Sequence, residues 1–186
     1  MAEDIGVKRA VVCMNGTAAL HMVLILCGVK SGDEVLTQSL TFIATATAIS
    51  YIGSRPISLD LDLETFGMSS KNLQKFIENN TILKQSTGPR INKLCGRPIT
   101  TCIPMHTFGH PCQIDEIATI CNKNNIPLVQ DVAESLGSTN KNKHTETFGK
   151  IGIQSFNGNK ILTKRGGGMI PTNDQETGEK AKHLTT

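Results

Sequence analysis

Short apolar, β-branched runs alternate with stretches dense in helix formers along most of this chain, and that rhythm admits few folds. Residues 9–14, RAVVCM, read as a strand that stops at Asn15-Gly16, and residues 17–27 follow as a covered helix. A strand over 34–37, a helix over 41–51 and a strand over 55–60 repeat the unit. Ser69 or Ser70 caps a helix that runs to about residue 78. Residues 79–98, rich in Asn, Gly, Lys and Thr, have no clear period and read as a surface excursion or hairpin. The rhythm resumes with a strand over 99–105, a helix over 114–124 and a strand over 126–130 that is buried on both faces. Two more strands, 151–156 and 169–171, flank the turn Gly166-Gly167-Gly168, and the polar stretch 172–182 reads as the start of a helix. A crossover between parallel strands must pass over a face of the sheet, so the spacing predicts an α/β fold, a mostly parallel sheet with helices on both faces.

A chain of 186 residues holds one sizeable domain. Its formal charge of +3 comes from 19 basic and 16 acidic residues without a basic run, and aromatics make up 4%. That balance argues against a nucleic-acid surface and suits a cleft for an anionic small molecule. The six cysteines form no CxxC pair and no Cys/His cluster, so no metal site is expected, and reduced thiols in the cytoplasm are. The apolar run 18–29 contains His21 and is too short to span a bilayer, and the first residues show no signal-peptide pattern, so no membrane attachment is expected.

In open α/β sheets ligands bind beyond the carboxyl ends of the strands, which directs attention to the residues that follow each one. Asp131 ends the strand that contains IPLVQ, and Lys160 lies in a tight turn after the strand ending at Ser155-Phe156. A strand-end carboxylate followed by a lysine after the next strand is what a pyridoxal phosphate site needs: one group for the protonated ring nitrogen, the other for a Schiff base. Singly, each has an ordinary reading, a helix-capping Asp and a solvated surface Lys. Asn15-Gly16-Thr17-Ala18 opens a helix with free N–H groups and a hydroxyl, which suits a phosphate or simply a capped turn. Ser155 could reach the same phosphate, and Phe42 could cover a flat ring or sit in the core. His106, at another strand end, carries little weight. Neither GxGxxG nor GxxxxGK[ST] occurs, which lowers dinucleotide and NTP-hydrolase readings.

The segments NGTAAL (15–20), GDEVLTQSLTFIATATAI (32–49), MHTFGHPCQIDEI (105–117), QDVAESLGS (130–138), HTETFGKIG (144–152) and SFNGNKI (155–161) resemble the DegT/DnrJ/EryC1/StrS sugar aminotransferases, pyridoxal phosphate (PLP) enzymes of fold-type I. The resemblance implies that Lys160 binds the cofactor covalently and moves a proton at the reacting carbon, with Asp131 on the pyridine nitrogen. It implies Phe42 against the ring, Gly16, Thr17, Ala18 and Ser155 around the phosphate, and Glu134 near the ring's phenolic oxygen. The wording is most similar to enzymes that aminate C4 of UDP-linked 4-keto-6-deoxy-N-acetylhexosamines with L-glutamate as donor, in homodimers whose sites lie at the interface. Related dehydratases carry His where this chain has Lys160, which argues for transamination. Family members are longer, so residues 1–186 are expected to be an incomplete large, cofactor-binding domain, without the N-terminal segment and the smaller C-terminal domain. Two competing readings are a non-catalytic fragment that keeps the fold, and a nucleotide-binding α/β module without PLP.

Overall fold

The computed structural model describes residues 1–84 and 88–185; residues 85–87, which fall within the stretch 79–98 read as an excursion, and residue 186 lie outside the described residues. After a short helix α1 (Ala2–Ile5), the chain runs through β1 (Arg9–Cys13), α2 (Gly16–Leu26), β2 (Glu34–Gln38), α3 (Ile43–Tyr51) and β3 (Arg55–Leu59). Helix α4 (Ser70–Asn80) leads into a hairpin, β4 (Thr81–Leu83) and β5 (Arg90–Asn92), then β6 (Pro98–Ile103), α5 (Ile114–Lys123) and β7 (Val129–Asp131). A second hairpin, β8 (Thr139–Asn140) and β9 (Lys143–His144), precedes β10 (Ile151–Ser155), β11 (Gly168–Thr172) and α6 (Gln175–Thr185).

The strands form a four-stranded sheet, β1-β11-β10-β7, and a five-stranded sheet, β3-β2-β6-β5-β4. Parallel bridges Cys102↔Leu128 and Met105↔Asp131 join β6 to β7, so the two continue as one surface. Along it β10, β7, β6, β2 and β3 are mutually parallel, and β11 runs against both β1 and β10. The α/β rhythm in the sequence therefore produces the mostly parallel sheet it predicts. The reversal at β11 follows from the connection between β10 and β11, which contains a glycine turn and no crossover helix, and the β4–β5 hairpin adds antiparallel pairs beyond β6.

Alternate residues of the central strands feed two cores. Val35, Ile103, Val129, Ile151 and Ile153 pack with Leu20, Val23 and Leu24 of α2, Ile49 of α3 and Ala181 of α6. Their neighbours Leu36, Cys102 and Leu128 pack on the other face with Leu73 and Ile77 of α4 and Ile114, Ile117 and Cys121 of α5. Burial on both faces explains why these strands read as continuous apolar runs rather than alternating ones. Helix starts follow local chemistry: Asn72 N–H donates to Ser69 Oγ (3.2 Å), the cap anticipated for α4. Helix α3 begins two residues later than its composition suggests, with Phe42 at the capping position.

One buried group is at odds with its setting. Glu146, in the turn before β10, is 2% exposed and neither carboxyl oxygen has a partner. Burial pushes its pKa up from 4.5 to about 7. The folded protein therefore keeps Glu146 protonated where the unfolded chain ionises it, so this group costs stability progressively between pH 4.5 and 7. Glu146→Gln is expected to reduce the fall in unfolding free energy between pH 5 and pH 8, measured by urea titration, by an amount on the order of 2 kcal/mol. An unchanged fall would mean that the carboxyl finds a partner when ionised.

Candidate active site

The residues singled out at the strand ends converge on one cavity of about 220 Å³ at the carboxyl ends of β1, β6, β7 and β10. Gly16, Thr17, Phe42, Asp131, Glu134, Ser155 and Lys160 all line it. Ala18 does not line it: its N–H donates to Asn15 Oδ1 (2.7 Å), the cap of α2.

Helix α2 starts at the cavity because Asn15 leaves β1 in extended conformation and its side chain satisfies one of the free N–H groups of the first turn. Gly16 is required by close approach. A Cβ there would stand 2.9 Å from Ser155 Cβ and 3.0 Å from Ser155 Oγ. The helix start and the end of β10 are thereby pressed together, with N–H groups and the Ser155 hydroxyl in one corner, an arrangement that suits a phosphate. Gly16→Ala is expected to destabilise the fold by about 1–3 kcal/mol, read as a lower urea midpoint, because the strand end has nowhere to move.

Asp131 is the electrostatic centre. It is 3% exposed, accepts from Thr45 Oγ1 at Oδ2 (2.9 Å) and from Ala133 N–H at Oδ1 (3.2 Å), and makes no ion pair among the described residues. Burial pushes its pKa up from 3.8 to about 6, against the opposing pull of the Thr45 hydroxyl, the Ala133 N–H and the Lys160 ammonium. A buried carboxyl satisfied only by neutral donors can gain a cation, and the ring nitrogen of a pyridine cofactor is such a group.

Lys160 approaches from the turn after β10, which its own N–H closes on Asn157 O (3.0 Å). Its side chain is 8% exposed; Nζ lies 2.8 Å from Glu134 Oε1 and 5.5 Å from the centroid of the Phe42 ring. It is unlike Lys141, whose side chain is 75% exposed. Glu134 is held there by backbone: Gly109 has φ +85°, and a Cβ on it would meet Glu134 O at 2.7 Å. His106 lies outside the cavity lining, buried, with Nδ1 accepting from Cys112 N–H (3.2 Å). Burial lowers its pKa from 6.5 to about 4, so it is a neutral structural imidazole near pH 7.

Lining residues that were given no role in the sequence analysis include Thr45, Met105, Asn157 and Asn159. Thr45, in the first turn of α3, follows the capping residue Phe42 by three residues, and both line the cavity. Thr41 Oγ1 donates to Thr45 Oγ1 (3.1 Å), so a short chain of hydroxyls ends on the Asp131 carboxyl.

A mostly parallel α/β sheet with a buried carboxyl, a sheltered lysine and a helix N-terminus around one cavity defines the class. The chain belongs to the DegT/DnrJ/EryC1/StrS aminotransferase family, whose model matches residues 1–186. It is 40% identical over 186 residues to the "Putative pyridoxal phosphate-dependent aminotransferase EpsN" of Bacillus subtilis (strain 168), covering 100% of this chain and 45% of that protein. It is 36% identical over 183 residues to the GDP-perosamine synthase of Caulobacter vibrioides, covering 98% of this chain and 44% of that one. Among solved structures, a DegT DnrJ EryC1 StrS aminotransferase from Brucella abortus superposes with a TM-score of 0.84 at 28% identity, covering 98% of this chain and 46% of that one. The chain thus spans about 45% of the length of the curated relatives it matches.

Proposed function

We propose that this chain is the cofactor-binding part of a PLP-dependent aminotransferase that moves an amino group from L-glutamate to C4 of a nucleotide-linked 4-keto-6-deoxy sugar. The product would serve cell-surface polysaccharide or glycan synthesis in the cytoplasm, with two copies of the chain completing the site between them. The observation that carries the reading is the pairing, in one cavity, of a buried Asp131 without a cationic partner and a sheltered Lys160. The residues fit the cofactor: Asp131 for the ring nitrogen, Phe42 for the ring face, and Gly16, Thr17 and Ser155 for the phosphate. Bound there, PLP would supply the electron sink for carbanion chemistry next to the amine nitrogen.

The chain's own contribution is positional and protonic. Lys160 Nζ is the base that would carry a proton between substrate carbon and cofactor, and Glu134 Oε1 gives that nitrogen a fixed partner at 2.8 Å. Phe42 and Met105 contribute apolar surface to the cavity. The UDP group rests on the wording of the sequence motifs, while a relative named for a GDP sugar makes guanosine the alternative. Among the described residues, no helix is long and apolar enough to cross a membrane. All six cysteines are free.

A second reading is cofactor binding without turnover. Incubating the PLP-loaded protein with L-glutamate and then with UDP- or GDP-linked 4-keto-6-deoxy sugars separates the two. Formation of 2-oxoglutarate and an amino sugar supports the transferase, and the productive nucleotide identifies the substrate. A bound cofactor that yields neither product supports the second reading.

A further inference from the structure

Gln38, the last residue of β2, is fully buried yet does not line the cavity. Its amide uses all four of its hydrogen-bonding positions. Nε2 donates to Leu40 O (2.8 Å) and to Thr107 Oγ1 (2.9 Å). Oε1 accepts from Met68 N–H (3.0 Å) and Met105 N–H (3.0 Å). Two acceptors lie on one side and two N–H donors on the other, so the network itself fixes which way the amide points.

The partners belong to three different strand ends. Leu40 lies in the turn from β2 to Phe42, Met68 in the connection from β3 to α4, and Met105 and Thr107 in the loop after β6. Thr107 extends the clamp by donating to Phe66 O (2.9 Å). Two of these segments reach the cavity: Met105 lines it and bridges Asp131, and the Leu40 turn delivers Phe42 to within 5.5 Å of Lys160 Nζ. A buried polar side chain with every position satisfied rigidifies what it touches, whereas its loss strands several groups at once.

We propose that Gln38 is a positioning residue of the cavity, fixing Phe42 and Met105 relative to Asp131 and Lys160, so that PLP affinity depends on a side chain that does not touch the ligand. The proposal rests on the PLP reading above. Loops without the clamp would have to be ordered by the ligand, and that ordering is subtracted from its affinity.

The test compares the full chain with Gln38→Met, which keeps the volume and removes all four hydrogen bonds, and with Thr81→Val as a control. Thr81 is equally a buried hydrogen-bonding hub, donating to Ile77 O (2.6 Å) and accepting from Arg90 Nε (2.6 Å), in the hairpin away from the cavity. PLP is titrated at a temperature where all three proteins are folded. The expected result is a PLP affinity at least ~10-fold weaker in Gln38→Met than in Thr81→Val. A loss no larger than the control's overturns the proposal. Should Gln38→Met fail to fold, hydrogen exchange on the unaltered protein decides: PLP should slow the Met68 and Met105 amides together, and an unchanged Met68 amide overturns it. Failure of the unaltered protein to bind PLP removes the cofactor reading and the proposal with it, a result distinct from normal PLP binding in Gln38→Met.

Discussion

Asp131→Asn is expected to make the cofactor-free protein more stable at pH 8, by about 2 kcal/mol, while lowering PLP-dependent turnover at least ~10²-fold. The two effects have one cause. Burial raises the Asp131 pKa from 3.8 to about 6, so its ionisation is opposed in the folded state. The penalty accumulates as pH rises from about 4 to 6 and is complete at pH 8. An amide of the same shape escapes that penalty: its Oδ1 can keep accepting from Ala133 N–H while its Nδ2 donates to Thr45 Oγ1 in place of the bond that Oδ2 accepts. A protonated ring nitrogen offsets the same penalty in the native protein and would find no carboxylate in the variant. PLP should therefore raise the melting temperature of the native protein more than that of Asp131→Asn. Equal PLP-induced shifts would mean that Asp131 does not meet the ring nitrogen.

Lys160→Ala is expected to abolish covalent capture of PLP altogether and to cut any turnover by about 10²–10⁴-fold or more, because the same Nζ would both hold the cofactor and transfer the proton. Folding should be little affected. The side chain's one strong interaction is with Glu134, which is 27% exposed and can be solvated once the ammonium is gone. A melting temperature close to the native value, together with no borohydride-stable adduct, is the expected pair of results. An adduct of full intensity in Lys160→Ala would place the capturing lysine elsewhere.

The legible parts of this molecule were those governed by local chemistry. The parallel sheet followed from β-branched runs separated by helix-length segments, and Asp131 and Lys160 stood out as an ordered pair, a strand-end carboxylate followed by a lysine after the next strand, although each alone had an ordinary reading. Gly16 was legible as a helix-opening turn, but its deeper reason, contact with Ser155, joins residues far apart in sequence and has no local signature. Ala18 shows the converse: the resemblance put it at the phosphate, whereas its N–H already donates to Asn15 Oδ1, three residues earlier. Thr45 and Gln38 were passed over because a threonine inside a helix and a glutamine ending a strand are unremarkable in one dimension; only the packing of three strand ends gives them partners. The β8–β9 hairpin turns on Lys141 (φ 49°) and Asn142 (φ 62°). Asn favours that left-handed backbone and Lys does not, so the turn carried half of its usual signal.

The most direct test of the account is to reduce the PLP-treated native protein with borohydride and locate the phosphopyridoxyl group by peptide mapping. The account predicts a visible absorbance band before reduction and a single modified lysine, Lys160, in the peptide that contains Ser155-Phe156-Asn157-Gly158-Asn159. Label spread over exposed lysines such as Lys141, with Lys160 unmodified in a folded protein, would contradict it.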